Sequence, residues 1–147
     1  MGSEQVDPEA KADYKQIFDS GFELPTGDLL AQIPVYGLKK WPSDNAAFRI
    51  SSAACYNDAI DLAMDILRGI ATSTDMPSDY FDAAFQTPMA LLGSNFYLER
   101  PSDTTAKDSG IATHTDYGCL TLLATDGLAG FEVRKRGGVD TSFRTIC

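Results

Sequence analysis

At 147 residues, with 44% hydrophobic and 22% charged side chains, the chain has room for one domain with a moderate core. Its net charge of −9 argues against nucleic acid, which needs clustered Lys and Arg, and against adsorption to an anionic membrane. No apolar run approaches the ~20 residues of a bilayer span.

The N-terminus, MGSEQVDPEAK, has no apolar signal region, and Val6 stands where a myristoylation motif wants Ser or Thr. Cys55, Cys119 and Cys147 are odd in number and far apart, which fits reduced thiols better than a disulfide framework. The expectation is a soluble, cytoplasmic protein.

The first predicted element is a helix over 7–20. Asp7 can cap it, Pro8 suits its first position, and Tyr14, Ile17 and Phe18 fall at i, i+3, i+4. Gly21 ends it, and a Gly- and Pro-rich stretch to Trp41-Pro42 reads as an ordered loop. A longer helix begins between Asn45 and Ser52 and runs to about Ala71. Ile60, Met64, Leu67 and Ala71 form its apolar stripe, and Asp58, Asp61, Asp65 and Arg68 lie on other faces. A short third helix spans 78–85, capped by Ser78.

After Pro88 the pattern turns extended. Met89 to Leu98 is an apolar run, and strand-like runs follow at 111–114, 119–124 and 130–136. Asp126-Gly127 and Gly137-Gly138 are turn signals. Helices followed by closely spaced short strands define an α+β chain, with a helical portion at 1–88 and a β portion at 89–147.

His114, the one histidine, stands two residues before Asp116. At a strand end, residues i and i+2 point to one face, their Cα atoms roughly 6.6 Å apart. An imidazole and a carboxylate can then converge on one cation, and such a pair is two-thirds of the 2-His-1-carboxylate triad of non-haem iron(II) oxygenases. Aspartate is common in this chain, so the pair alone is a weak signal. Its setting strengthens it: a β-compatible run precedes it, Tyr117-Gly118 supplies a turn, and apolar runs follow. Cys119 reads as a buried small hydrophobe, not a ligand. The 127–130 turn GLAG lacks the Lys and Ser/Thr of a phosphate loop, and the acidic helix face lacks the Gly and Glu of a calcium loop.

HTDYGCLTLL followed by DGLAGFEV resembles the iron(II)- and 2-oxoglutarate-dependent dioxygenases of the isopenicillin N synthase-like group. Asn95-Phe96-Tyr97 is similar to the N-x-Y strand of that family, and Trp41-Pro42 and Pro77-x-x-Tyr80-Phe81 resemble segments upstream of it. Residues 10–140 can be laid against the middle of such an enzyme.

The resemblance implies His114 and Asp116 as iron ligands, with Tyr97 and Asn95 beside 2-oxoglutarate. It implies a jelly-roll domain, entered after N-terminal helices and incomplete at the C-terminus. The expected cofactor is Fe(II), with 2-oxoglutarate and O2 as cosubstrates. The expected reaction is hydroxylation or desaturation of a small molecule, with oxidative decarboxylation yielding succinate. The family's second ligand histidine and the R-x-S that follows it lie further on, and neither is present here. The chain therefore reads as a truncated middle portion that binds iron weakly alone. A non-catalytic remnant of the same fold, or a site completed by a second copy, are the competing readings.

Overall fold

The computed structural model describes residues 15–25, 27–33, 36, 40–99, 111, 114–128, 130–134 and 143–145. The chain divides into two compact units, Met1–Asp116 and Tyr117–Cys147.

The first unit is built on one long helix and one two-stranded ribbon. Helix α1, Ala46–Ser73, starts where the Asn45 side chain accepts a hydrogen bond from the Phe48 N–H at 2.9 Å. It buries Ser52, Tyr56, Leu67 and Ala71, with Ile60 and Met64 half-buried along the same line. Asp58, Asp61, Asp65 and Arg68 are exposed, so the predicted stripe and its polar faces are both present. The helix ends on a left-handed residue, Asp75 (φ 58°). The Met76 and Asp75 N–H groups turn back to the Ala71 and Thr72 carbonyls.

Strand β1, Lys15–Gly21, pairs antiparallel with β2, Leu91–Tyr97. The register sets Lys15 opposite Tyr97, Ile17 opposite Asn95, and Asp19 opposite Gly93. Alternation gives the ribbon two faces. Phe18 turns towards α1, where its ring meets Phe48 at 5.1 Å and Trp41 at 5.4 Å. Lys15, Ile17, Asp19, Gly93, Asn95 and Tyr97 therefore share the opposite, open face.

Polar ties hold the segments around α1. Glu23 accepts from Trp41 Nε1 at 2.7 Å and from Arg49 Nη2 at 3.2 Å. Arg68 donates from Nε and Nη2 to the two carboxylate oxygens of Asp82, at 3.3 and 2.9 Å. The hydroxyls of Tyr36 and Tyr56 donate to the Thr87 and Ala90 carbonyls, on the approach to β2.

Several expectations are corrected. Residues 15–20 of the predicted first helix are strand, because pairing with β2 and insertion of Phe18 among Trp41 and Phe48 outweigh a three-residue helical stripe; residues 7–14 lie outside the described residues. Residues 78–81 are turn, and only Asp82–Phe85 forms a 3-10 helix. Residues 119–124 are irregular, as are Ile111 and His114, while 112–113 lie outside the described residues.

In the second unit the predicted strand at 130–136 is the shorter β3, Glu132–Arg134; residues 135 and 136 lie outside the described residues. It pairs antiparallel with β4, Phe143–Thr145, with Val133 opposite Arg144. The Asp126-Gly127 turn is present. Gly127 has φ 85°, and the Asp126 carboxylate accepts from the Leu128 N–H at 3.0 Å. Irregular residues, not a strand, lead into it. The Gly137-Gly138 turn lies outside the described residues. No helix among the described residues is long and apolar enough to cross a membrane.

Candidate functional site

The His114 and Asp116 side chains meet. Nε2 of His114 lies 3.2 Å from Oδ1 of Asp116, with the two side chains 34% and 55% exposed. The backbone here is irregular, so the pair forms within an irregular segment and not at the end of a regular strand. The spacing suits a shared cation. With bonds of about 2.1 Å to each atom, a 3.2 Å separation closes an angle of about 100° at the metal, close to adjacent octahedral positions. Imidazole nitrogen plus carboxylate oxygen is a donor set that iron(II) accepts. Among the described residues, no group of three His, Cys, Asp or Glu side chains is placed to hold a metal. The residues fit two of three protein ligands.

Asn95 and Tyr97 lie on β2, two residues apart on the open face, and both are exposed. Gly93 lies on the same face. A Cβ there would stand 3.2 Å from Asp19 Oδ1 and 3.8 Å from Asn95 Nδ2, so both side chains lean over the glycine.

The neighbours of the motif are more open than expected. Cys119 is an exposed free thiol, not a buried hydrophobe. Leu120, Leu122 and Leu123 are 36%, 39% and 59% exposed, so the anticipated dry surroundings are not formed by these residues. Elsewhere in the first unit, a cavity of about 220 Å³ is lined by Phe22, Glu23, Trp41, Tyr56 and Asn57 among others. None of the four predicted site residues borders it, and it is not assigned to them.

Sequence comparison finds curated relatives of the resembled kind. The chain is 34% identical over 101 residues to the 2-oxoglutarate-Fe(II) type oxidoreductase hxnY of Emericella nidulans, covering 66% of this chain and 29% of that protein. It is 28% identical over 130 residues to the 2-oxoglutarate-dependent dioxygenase ecdK of Aspergillus rugulosus, covering 86% and 36% respectively. It is 25% identical over 149 residues to a probable iron/ascorbate oxidoreductase of Dictyostelium discoideum, covering 86% and 41%. No family model matches, and no solved structure matches.

The chain thus belongs to the 2-oxoglutarate–Fe(II) oxidoreductases. It spans 29–42% of the length of the curated relatives it matches.

Lys15 and Asp19 were not among the predicted site residues. Reading 7–20 as a helix hid them. The alternation of Lys15, Ile17 and Asp19 against Gln16, Phe18 and Ser20 was the signal that places them beside Asn95 and Tyr97.

Proposed function

We propose that this chain carries the His-x-Asp half of an iron(II) site and the strand that faces 2-oxoglutarate. The whole protein would oxidise a small organic molecule by hydroxylation or desaturation. The observation that carries this is the 3.2 Å approach of His114 Nε2 to Asp116 Oδ1, in a chain whose relatives are named as 2-oxoglutarate–Fe(II) oxidoreductases. The β1–β2 ribbon would then belong to a jelly roll, with the Asn95 and Tyr97 face turned to its interior.

His114 would bind through Nε2, which must be unprotonated. Asp116 would bind through a carboxylate oxygen and offset one of the metal's charges. Tyr97 would donate its hydroxyl, and Asn95 its amide, to oxygens of the cosubstrate. Bound iron(II), with 2-oxoglutarate and O2, supplies the oxidising chemistry: one oxygen atom goes to succinate as CO2 leaves, the other to the substrate in a hydroxylation. The chain's own part is to hold two ligands at a fixed angle and to orient the 2-oxo acid.

Anaerobic addition of iron(II) and 2-oxoglutarate, followed by visible absorption of the chelate, tests this. The 147-residue chain should bind iron(II) weakly alone and better with 2-oxoglutarate, which adds donors of its own. His114→Ala should remove both responses. Iron affinity unchanged by that substitution would mean the ligand assignment is wrong.

A further inference from the structure

We propose that the cavity beside Trp41 binds a small organic ammonium ion, its charge held by Glu23 and Ser20 and its apolar body by the rings of Trp41 and Phe22. The cavity lies between the end of β1 and the first half of α1. Ser20 shares the inward face of β1 with Phe18, so the cavity is on the other side of the ribbon from Asn95 and Tyr97. The proposal does not depend on the cosubstrate reading of those two residues.

The Ser20 hydroxyl carries the inference. Ser20 is 5% exposed and lines the cavity, and its hydroxyl bonds to no described residue. Among the described residues, no side-chain oxygen or nitrogen is both sealed from the surface and without a partner. The hydroxyl of this buried serine therefore opens on the cavity it lines. A buried polar group so placed is satisfied by whatever enters.

The rest of the wall sets the ligand's charge. Glu23 brings a carboxylate whose oxygens each accept one bond, from Trp41 Nε1 at 2.7 Å and from Arg49 Nη2 at 3.2 Å. A carboxylate has about four accepting sites, so roughly two remain. Arg49 is not part of the wall, and its pair with Glu23 is exposed enough to be weak. Tyr56 donates its proton to the Ala90 carbonyl, which leaves the phenol oxygen as an acceptor, and Asn57 adds an amide carbonyl. The wall thus accepts more hydrogen bonds than it donates and bears the Glu23 charge. An ammonium, with three N–H donors, matches it, and the face of Trp41 adds cation–π attraction. An anion would meet a like charge. The volume of about 220 Å³ lies just under the roughly 300–1,000 Å³ of drug-sized sites, which leaves room for one ring with a short aminoalkyl arm.

Benzylamine and benzyl alcohol, titrated separately into the 147-residue chain and followed by calorimetry and Trp41 emission, test the assignment. Benzylamine should bind once per chain and about tenfold more tightly than benzyl alcohol, which keeps the ring but not the charge. Glu23→Gln should bring the two ligands to within about twofold of each other, and Ser20→Ala should weaken benzylamine about fivefold, with the helical circular dichroism unchanged in both variants. Equal affinity of the wild-type chain for amine and alcohol overturns the proposal, a comparison that needs no variant to fold. So does undiminished benzylamine affinity in Glu23→Gln or in Ser20→Ala, or the absence of any benzylamine response at millimolar concentration.

Discussion

The ring of Phe18 meets the ring of Phe48 nearly edge-on, 5.1 Å between centroids, and this contact decides which way β1 faces. With Phe18 turned to α1, its neighbours Ile17 and Asp19 must point away, onto the face that carries Asn95 and Tyr97. Phe18→Ala should therefore do two things. It should destabilise the unit by roughly 2 kcal/mol, given a half-buried ring with two aromatic neighbours. It should also loosen the β1–β2 register, seen as faster amide exchange in 15–21. Unchanged stability would mean that this packing does not hold the ribbon.

Trp41 is the single tryptophan, so the fluorescence reports on its surroundings, which include the Glu23 bond, the rings of Phe18 and Phe48 and the Arg49 guanidinium. Both Glu23 and Arg49 are about half exposed, which limits the ion pair to less than about 1 kcal/mol. Glu23→Ala should shift the Trp41 emission with little loss of stability. Glu23→Gln, which keeps an oxygen acceptor for the indole N–H, should stay nearer to wild type. Identical emission from Glu23→Ala would contradict the 2.7 Å bond.

Asp75 occupies the left-handed position that ends α1, where glycine meets no steric opposition. Asp75→Gly should raise stability by about 0.5–1 kcal/mol, the relief at φ 58° being partly offset by a more flexible unfolded chain. Denaturant midpoints compare the two, and a destabilised variant would show that the Asp75 side chain has a stabilising role of its own.

The Tyr56 phenol is shifted upwards from its ordinary value of 10.0, first by burial and then by the nearby Tyr36. A raised acid is more easily ionised in the unfolded chain. Its contribution to stability is therefore complete below pH 10 and is lost as pH climbs through the higher folded value. Ionisation also removes the proton that Tyr56 donates to the Ala90 carbonyl. Tyr56→Phe should flatten the loss of stability above pH 10, measured by denaturation at a series of alkaline pH values. A slope equal to wild type would remove Tyr56 as its source.

Much of this arrangement was legible in the sequence where local and tertiary forces agree. The stripe Ile60, Met64, Leu67, Ala71 predicted α1, where periodicity and burial point the same way; Met89 to Leu98 read as extended, and β2 forms there through its pairing with β1 although most of its residues are exposed. The Asp126-Gly127 turn was readable from residues that suit a left-handed glycine. The first element was not. Tyr14, Ile17 and Phe18 fit a helical stripe, yet the partner that makes 15–21 a strand lies some seventy residues later. The His114–Asp116 pair was legible by spacing alone, but its openness was not, since the exposure of Cys119 and Leu123 depends on what packs against them.

The central claim is that His114 and Asp116 together hold a divalent metal. Titration of manganese(II) into the chain, with unbound ion counted by its electron paramagnetic resonance signal, tests it most directly. One weak site per chain is expected, lost in His114→Ala and in Asp116→Ala alike, with the helical circular dichroism unchanged. Manganese binding that survives either substitution would contradict the account.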